Sequence, residues 1–291
     1  SLMTINFSEA DDKLYNTIDG QTVDYHWQNY AFSFKKKLLN NNEDNFLISI
    51  VPTIEYWRHA SGSKDSKSIY NQKDSQDGRD RFDNLIGSLS LPVSKKLNEN
   101  FTILVVPGVT FLPEKLGSKG IEKNAYGNNF YIGSGIVLDM LKDVNFLASH
   151  TSPLGPGNNY FDKDLNYSRK PIYSIGLGWD VNSKIGIEGK ITNSFGATPS
   201  TGLLTIPSDN QPLYSANITY KPYGEDTYLT PLNERDKLIS IGGITVNNAL
   251  MPRYGTSLIN FNYDDKGEMG DGGNTTVIPT KNVINVRKVT I

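Results

Sequence analysis

Along much of the chain apolar and polar residues alternate one by one, the period of a β-strand with two unlike faces, and helical spacing is scarce. Between residues 46 and 57, Phe46, Ile48, Ile50, Ile54 and Tyr56 share one face, while Ser49, Thr53 and Glu55 alternate with Leu47, Val51 and Trp57 on the other. Further along, Tyr173, Ile175, Leu177 and Trp179 oppose Ser174, Gly176 and Gly178, and Ile185, Ile187 and Ile191 oppose Glu188, Lys190 and Thr192. Tyr214, Ala216, Ile218 and Tyr220 then oppose Ser215, Asn217, Thr219 and Lys221. Bounded by Gly, Pro, Asn and Asp clusters, such segments predict strands near 23–38, 45–58, 82–96, 100–111, 129–141, 144–150, 171–180, 184–193, 212–221, 237–247, 256–263 and 282–290, with one more at 3–7. Pro52 removes a ladder donor from the second of these and predicts a bulge or an edge there.

The connections alternate as well. Short ones at 39–44, 97–99, 142–143 and 181–183 read as hairpin turns. Between them lie long polar stretches, 59–81, 112–128, 151–170 and 194–211, and loops beyond ~12 to 15 residues are uncommon in compact soluble domains. One end of the sheet therefore carries tight turns and the other large loops. The pattern slips at 222–236, where a long connection replaces a short turn; it marks a possible boundary, although a single domain over 1–291 is the preferred reading.

Composition then narrows the chemistry. Lys+Arg 29 against Asp+Glu 31 gives a formal net charge of −2, so no basic stripe points to nucleic acid. With no cysteine there is no disulfide framework, thiol nucleophile or thiolate metal site. His26, His59 and His150 are not at metal-ligand spacing. A mean hydropathy of −0.42 fits a water-soluble globule and equally a barrel whose strands alternate lipid-facing and water-facing residues. No run of about 18 apolar residues forms a transmembrane helix. The start, Ser1-Leu2-Met3, has no basic or apolar leader region; if the protein is exported, the numbering is expected to be that of a mature or cut chain.

Alternating faces, aromatic ends to the apolar stripes and alternating short and long connections over residues 23–221 resemble the bacterial outer-membrane β-barrel class. The stretch 193–210 also looks like loop segments of cyanobacterial envelope proteins, a similarity that implies no activity. The class implies an all-β fold, an antiparallel up-and-down transmembrane barrel of about 10 to 14 strands, in contact with a lipid bilayer or detergent. It implies a narrow channel or a component of envelope transport or surface assembly in the outer membrane, without catalysis or cofactor, and passing a small polar solute or polysaccharide. The class usually ends in a strand with a terminal aromatic, whereas this chain ends Arg287-Lys288-Val289-Thr290-Ile291.

In that reading the inward charges are Glu55, Glu188, Lys190 and Lys221, with Arg58 and Asp139 nearer the strand ends, because Lys or Arg facing lipid at the midplane costs ~2 to 4 kcal/mol. They would either field a pore or form a salt-bridge plug. Ser149-His150-Thr151-Ser152 offers a serine and a histidine, but a polar rim histidine is the simpler reading, and His26 reads as part of a wet lumen face. Asp264, Asp265, Glu268 and Asp271 form an oxygen-rich loop that is a weak calcium candidate and equally a solvated hairpin. The Gly133 and Gly176 motifs are not phosphate cradles, since no helix follows either. The rival reading is a soluble all-β binding module, jelly-roll-like, adhesive or carbohydrate-binding, in which Tyr160, Phe161 and Tyr167 stack on a ligand. A virion or surface structural protein is a third.

Overall fold

A computed structural model describes residues 2–16, 21–41, 46–61, 80–114, 126–141, 143–161, 166–194, 196, 198–205, 212–220, 257–266 and 280–289. In chain order the strands are β1 (Leu2–Asn16), β2 (Gln21–Asn41), β3 (Phe46–Ser61), β4 (Asp80–Ser90), β5 (Val93–Asn98), β6 (Phe101–Phe111), β7 (Asn128–Leu141) and β8 (Val144–Pro156). They continue as β9 (Tyr160–Phe161), β10 (Tyr167–Ser168), β11 (Ile172–Asp180), β12 (Ile185–Thr192), β13 (Leu213–Tyr220), β14 (Ser257–Lys266) and β15 (Thr280–Val289). Among the described residues the one helical piece is a single 3-10 turn, Thr201–Leu203.

Apart from the short β9–β10 pair, every strand among the described residues joins one sheet of thirteen. β4 and β5 each pair with both β3 and β6, so they are one stave interrupted at Leu91 and Pro92, and the sheet has twelve staves. β1 pairs antiparallel with β2 on one side and with β15 on the other, Ile5 opposite Phe32 and Val286. No stave is left with a free edge, and the sheet closes on itself as an antiparallel barrel. The expected range of strand numbers and the up-and-down order are both met.

Turn chemistry explains the tight end. Asn98 Oδ1 accepts the Asn100 N–H at 3.0 Å, and Asn182 Oδ1 accepts the N–H groups of Lys184 and Ile185 at 2.8 and 2.9 Å. Each asparagine side chain thus closes its own turn. This rim carries connections 42–45, 99–100, 142–143 and 181–184, and also 221–256. The opposite rim carries 17–20, 62–79, 112–127, 157–171, 193–212 and 267–279.

Several sequence expectations change. The short strand at 3–7 extends to Asn16 and forms a hairpin with an equally extended β2. The strand expected at 237–247, and the boundary at 222–236, lie outside the described residues, while β13 and β14 on either side pair directly. Pro52 makes neither bulge nor edge: the ladder to β4 runs through it, the ladder to β2 lacks bridges at Val51 and Pro52, and the register shift falls at Lys37/Leu39. One missing N–H is absorbed as a gap in a ladder with two sides.

Candidate functional site in the barrel lumen

The two faces of the wall decide what surrounds it. Outward-facing Leu85, Ile54, Leu177 and Trp179 are 75%, 58%, 53% and 52% exposed, whereas inward Glu55 and Glu188 are 0% and 3% exposed. The same inversion holds along β13, where Tyr214, Ile218 and Tyr220 are exposed and Ser215, Asn217 and Thr219 buried. A soluble protein does not leave so large a contiguous apolar surface in water. On β1–β3 the apolar band ends in a row of rings, Phe7 against Tyr30 at 4.9 Å and Tyr30 against Tyr56 at 6.3 Å. Just beyond it the outward residues turn polar. Gln28 donates to Glu9 at 3.1 Å, His26 lies 3.4 Å from Glu9, and Arg58 pairs with Asp83 at 3.3 Å. An apolar belt, an aromatic edge and then charges is the profile of a bilayer and its interface. The fold is a transmembrane β-barrel. Among the described residues no helix is long and apolar enough to cross a membrane; this barrel crosses with strands.

Inside the barrel, hydroxyl and amide side chains dominate: Asn6, Ser8, Asn29, Thr53, Ser88, Ser90, Thr110, Asn145, Ser174, Ser215, Asn217 and Thr219 are all inward and buried. What fills the space beside them is partly the chain itself. The connection leaving β12 folds into the barrel. Thr192 Oγ1 donates to the Tyr173 carbonyl at 2.7 Å, and Asn193 Oδ1 accepts the Tyr173 N–H at 2.8 Å. Ser194 bridges to Thr205, and its hydroxyl reaches the carbonyls of Gly196 and Gly202, both at 3.1 Å, which ties the segment into a compact Ω-like loop. A Cβ on Gly196 would come within 2.5 Å of Thr201 Oγ1, so only glycine permits that packing. Asn159 braces the loop from the neighbouring connection. It donates to the Leu203 and Lys170 carbonyls at 2.8 Å each, and its own carbonyl accepts the Thr205 N–H at 3.1 Å.

The tip of this loop is latched to the far wall. β12 stands halfway round the twelve staves from β3, yet the Thr198 hydroxyl donates to Glu55 Oε2 at 2.5 Å and the Ser200 N–H donates to Glu55 Oε1 at 2.9 Å. Asn29 on β2 donates to the same Oε2 at 2.8 Å and to Thr198 Oγ1 at 3.2 Å. Glu55 therefore accepts three bonds, two of them from a loop that has crossed the lumen. Trp27, Trp57 and His59 continue the same inward face. The Trp27 and Trp57 rings are 5.9 Å apart and nearly perpendicular, and Trp57 and His59 are 5.4 Å apart.

The residues proposed from sequence separate accordingly. Glu55 and Glu188 are inward and buried, Lys190 is inward and half-buried on β12, and Asp139 is inward and half-buried at the short-turn end of β7. Arg58 requires correction: it follows Trp57 on β3 and so points outward, where it pairs with Asp83 above the aromatic edge. His26 likewise faces outward with Glu9 rather than into the lumen. Lys221 lies outside the described residues. Tyr160 and Phe161 are buried and Tyr167 half-buried; Phe161 and Tyr167 pack with Tyr126 at 6.3 and 5.4 Å, and Lys170 Nζ caps the Tyr160 ring at 3.6 Å. They are the interior of a loop cluster, not the open stacking platform of the rival reading. His150 is exposed on the outward face of β8, Ser152 follows two residues on along that same face, and Ser149 alternates inward. Asp264 and Asp265 are on β14, and Glu268 and Asp271 lie outside the described residues. Among the described residues no group of three or more His, Asp or Glu could hold a metal ion. The sequence predicts a long polar loop over 194–211 on the large-loop end; its Thr, Ser and Gly content suits close packing against a polar wall, but nothing in it names Glu55 as the partner.

No protein-family model matches the sequence, and no curated protein matches it. Among solved structures the chain is similar to the KdgM porin (6% identity, TM-score 0.45, covering 100% of both chains). It is also similar to the NanC porin (8% identity, TM-score 0.45, 99% of this chain and 100% of that one). A third is an outer membrane channel from Pseudomonas putida F1 (10% identity, TM-score 0.47, 98% and 92%). At such identities the assignment rests on this chain's own strand register and inverted faces.

Proposed function

We propose that the protein is a non-catalytic, narrow channel of the bacterial outer membrane whose lumen is closed by its own loop 193–205. The observation that carries this reading is the latch across the barrel, from Thr198 and Ser200 to Glu55. A barrel of this size has an interior that side chains alone need not fill, and here a segment held by hydrogen bonds, not by the wall itself, completes the closure. Side chains at the latch level are cut off from water, with Glu55 and Trp57 both 0% exposed. A loop retained by a few hydrogen bonds is reversible on the scale of local opening. The inward charges Glu188 and Lys190 lie on β12 itself, beneath the root of the loop, and would face a solute once the loop had moved.

Solute release from vesicles tests this directly. Protein reconstituted into liposomes is expected to admit small polar solutes slowly, and a variant lacking 196–204 is expected to admit them faster with a higher size limit. Equal, undetectable uptake by both would remove the channel reading.

A further inference from the structure

We infer that Glu55, Asn29 and Trp57 form a recognition site for a neutral polyhydroxylated solute, a saccharide, and that Thr198 and Ser200 of the loop occupy it as an internal mimic. The inference rests on the channel reading and names its solute class. Three observations converge on it. The latch makes contacts that sugar hydroxyls can reproduce: the loop gives a hydroxyl donating to one carboxylate oxygen and an N–H donating to the other, while the Asn29 amide of the wall donates to both the carboxylate and the hydroxyl. A carboxylate beside a carboxamide matches the paired hydroxyls of a saccharide, since one oxygen can accept where another donates. Among the described residues the three donors to Glu55 are all neutral, and a carboxylate at the centre of the site disfavours an anionic ligand.

The second observation is what surrounds the carboxylate. Trp57 follows Glu55 on the inward face of β3, and Trp27 precedes Asn29 on that of β2, so a large indole pair adjoins the hydrogen-bonding pair. Such rings combine apolar faces with a polar N–H, suited to the mixed surface of a sugar ring. The third is unused bonding capacity. Trp57 Nε1, Asn29 Oδ1 and Ser200 Oγ are buried without a hydrogen-bond partner, although Trp57 and Asn29 are 0% exposed. Buried polar atoms are normally paired, and orphaned ones carry a cost. The loop thus satisfies the site incompletely, and a ligand bringing more hydroxyls than the loop's can replace it. Opening is then coupled to solute binding, because both compete for Glu55.

Two substitutions separate this from a purely structural latch, since they act in opposite directions on binding. Intrinsic tryptophan fluorescence of the detergent-folded protein is titrated with maltotriose, with a triuronate of the same length and choline as anionic and cationic comparisons. Glu55→Gln is expected to weaken maltotriose binding about tenfold or more, the scale of losing a charge-assisted bond. Thr198→Val, which removes the mimic's hydroxyl and leaves the wall intact, is expected to tighten it. Trp57→Phe reports whether the signal arises at the site. Preference for the triuronate or choline, no maltotriose binding by the wild type and Thr198→Val proteins, or weakening by Thr198→Val would each overturn the inference. Vesicle uptake is read separately: saccharide binding without uptake by any variant contradicts the channel reading, and uptake without saccharide binding contradicts this one.

Discussion

At the scale of single residues the barrel inverts the usual meaning of burial. Leu177 and Ser215 belong to alternating strands of the same sheet, yet the leucine is exposed and the serine buried. Lipid explains both: the outward side chain meets hydrocarbon and the inward one meets hydroxyls and the folded-in loop. Leu177→Lys is accordingly expected to destabilise the membrane-embedded barrel by ~2 to 4 kcal/mol if it lies near the midplane. Ser215→Lys should cost far less, as read by denaturant unfolding in lipid vesicles. The reverse ranking would place Leu177 in water. Much of this was legible in sequence, because face alternation depends only on residue order. Glu55 was legible as an inward charge on β3. Its partners were not, since they come from a segment far along the chain whose composition suits an external loop equally well. Arg58 stands one position past inward Trp57, so strand parity alone places it outward.

At the scale of elements the decisive unit is the loop from Asn193 to Thr205. Its roots are fastened by Thr192 and Asn193 to β11, its middle by Asn159 and its tip by Glu55. Asn159 is fully buried and serves two connections at once. Asn159→Ala strips bonds that nothing else replaces, costing about 1 to 3 kcal/mol for buried groups left unpaired. Faster limited proteolysis within 193–205, at unchanged barrel content by circular dichroism, is the expected outcome; unchanged proteolysis would show that the loop does not depend on this brace. The strands themselves were the readable elements, and the exceptions have physical causes. The stretch from Ser8 to Asn16 reads as polar because it extends past the aromatic edge marked by Phe7, where no apolar stripe is needed. The interruption of β4 and β5 at Leu91 and Pro92 was hidden because apolar alternation continues across it.

At the scale of the whole molecule the claim is closure. β1 and β15 pair from Leu2 opposite Val289 to Phe7 opposite Ile284, which removes both edges of the sheet and makes a membrane-stable object. The chain has no cysteine, so a disulfide introduced by Asn6→Cys with Asn285→Cys would report that pairing alone. It should form under oxidation and raise the temperature at which the folded band is lost on gels. Failure to form would refute the closing register.

The most direct test is single-channel recording in planar bilayers. Wild-type protein is expected to show small, brief conductance steps, while Glu55→Ala and Thr198→Val show larger and longer-lived ones because the loop tip has lost its hold. Identical conductance in all three, or no steps from any of them in folded, membrane-inserted form, would contradict a lumen closed by a loop latched at Glu55.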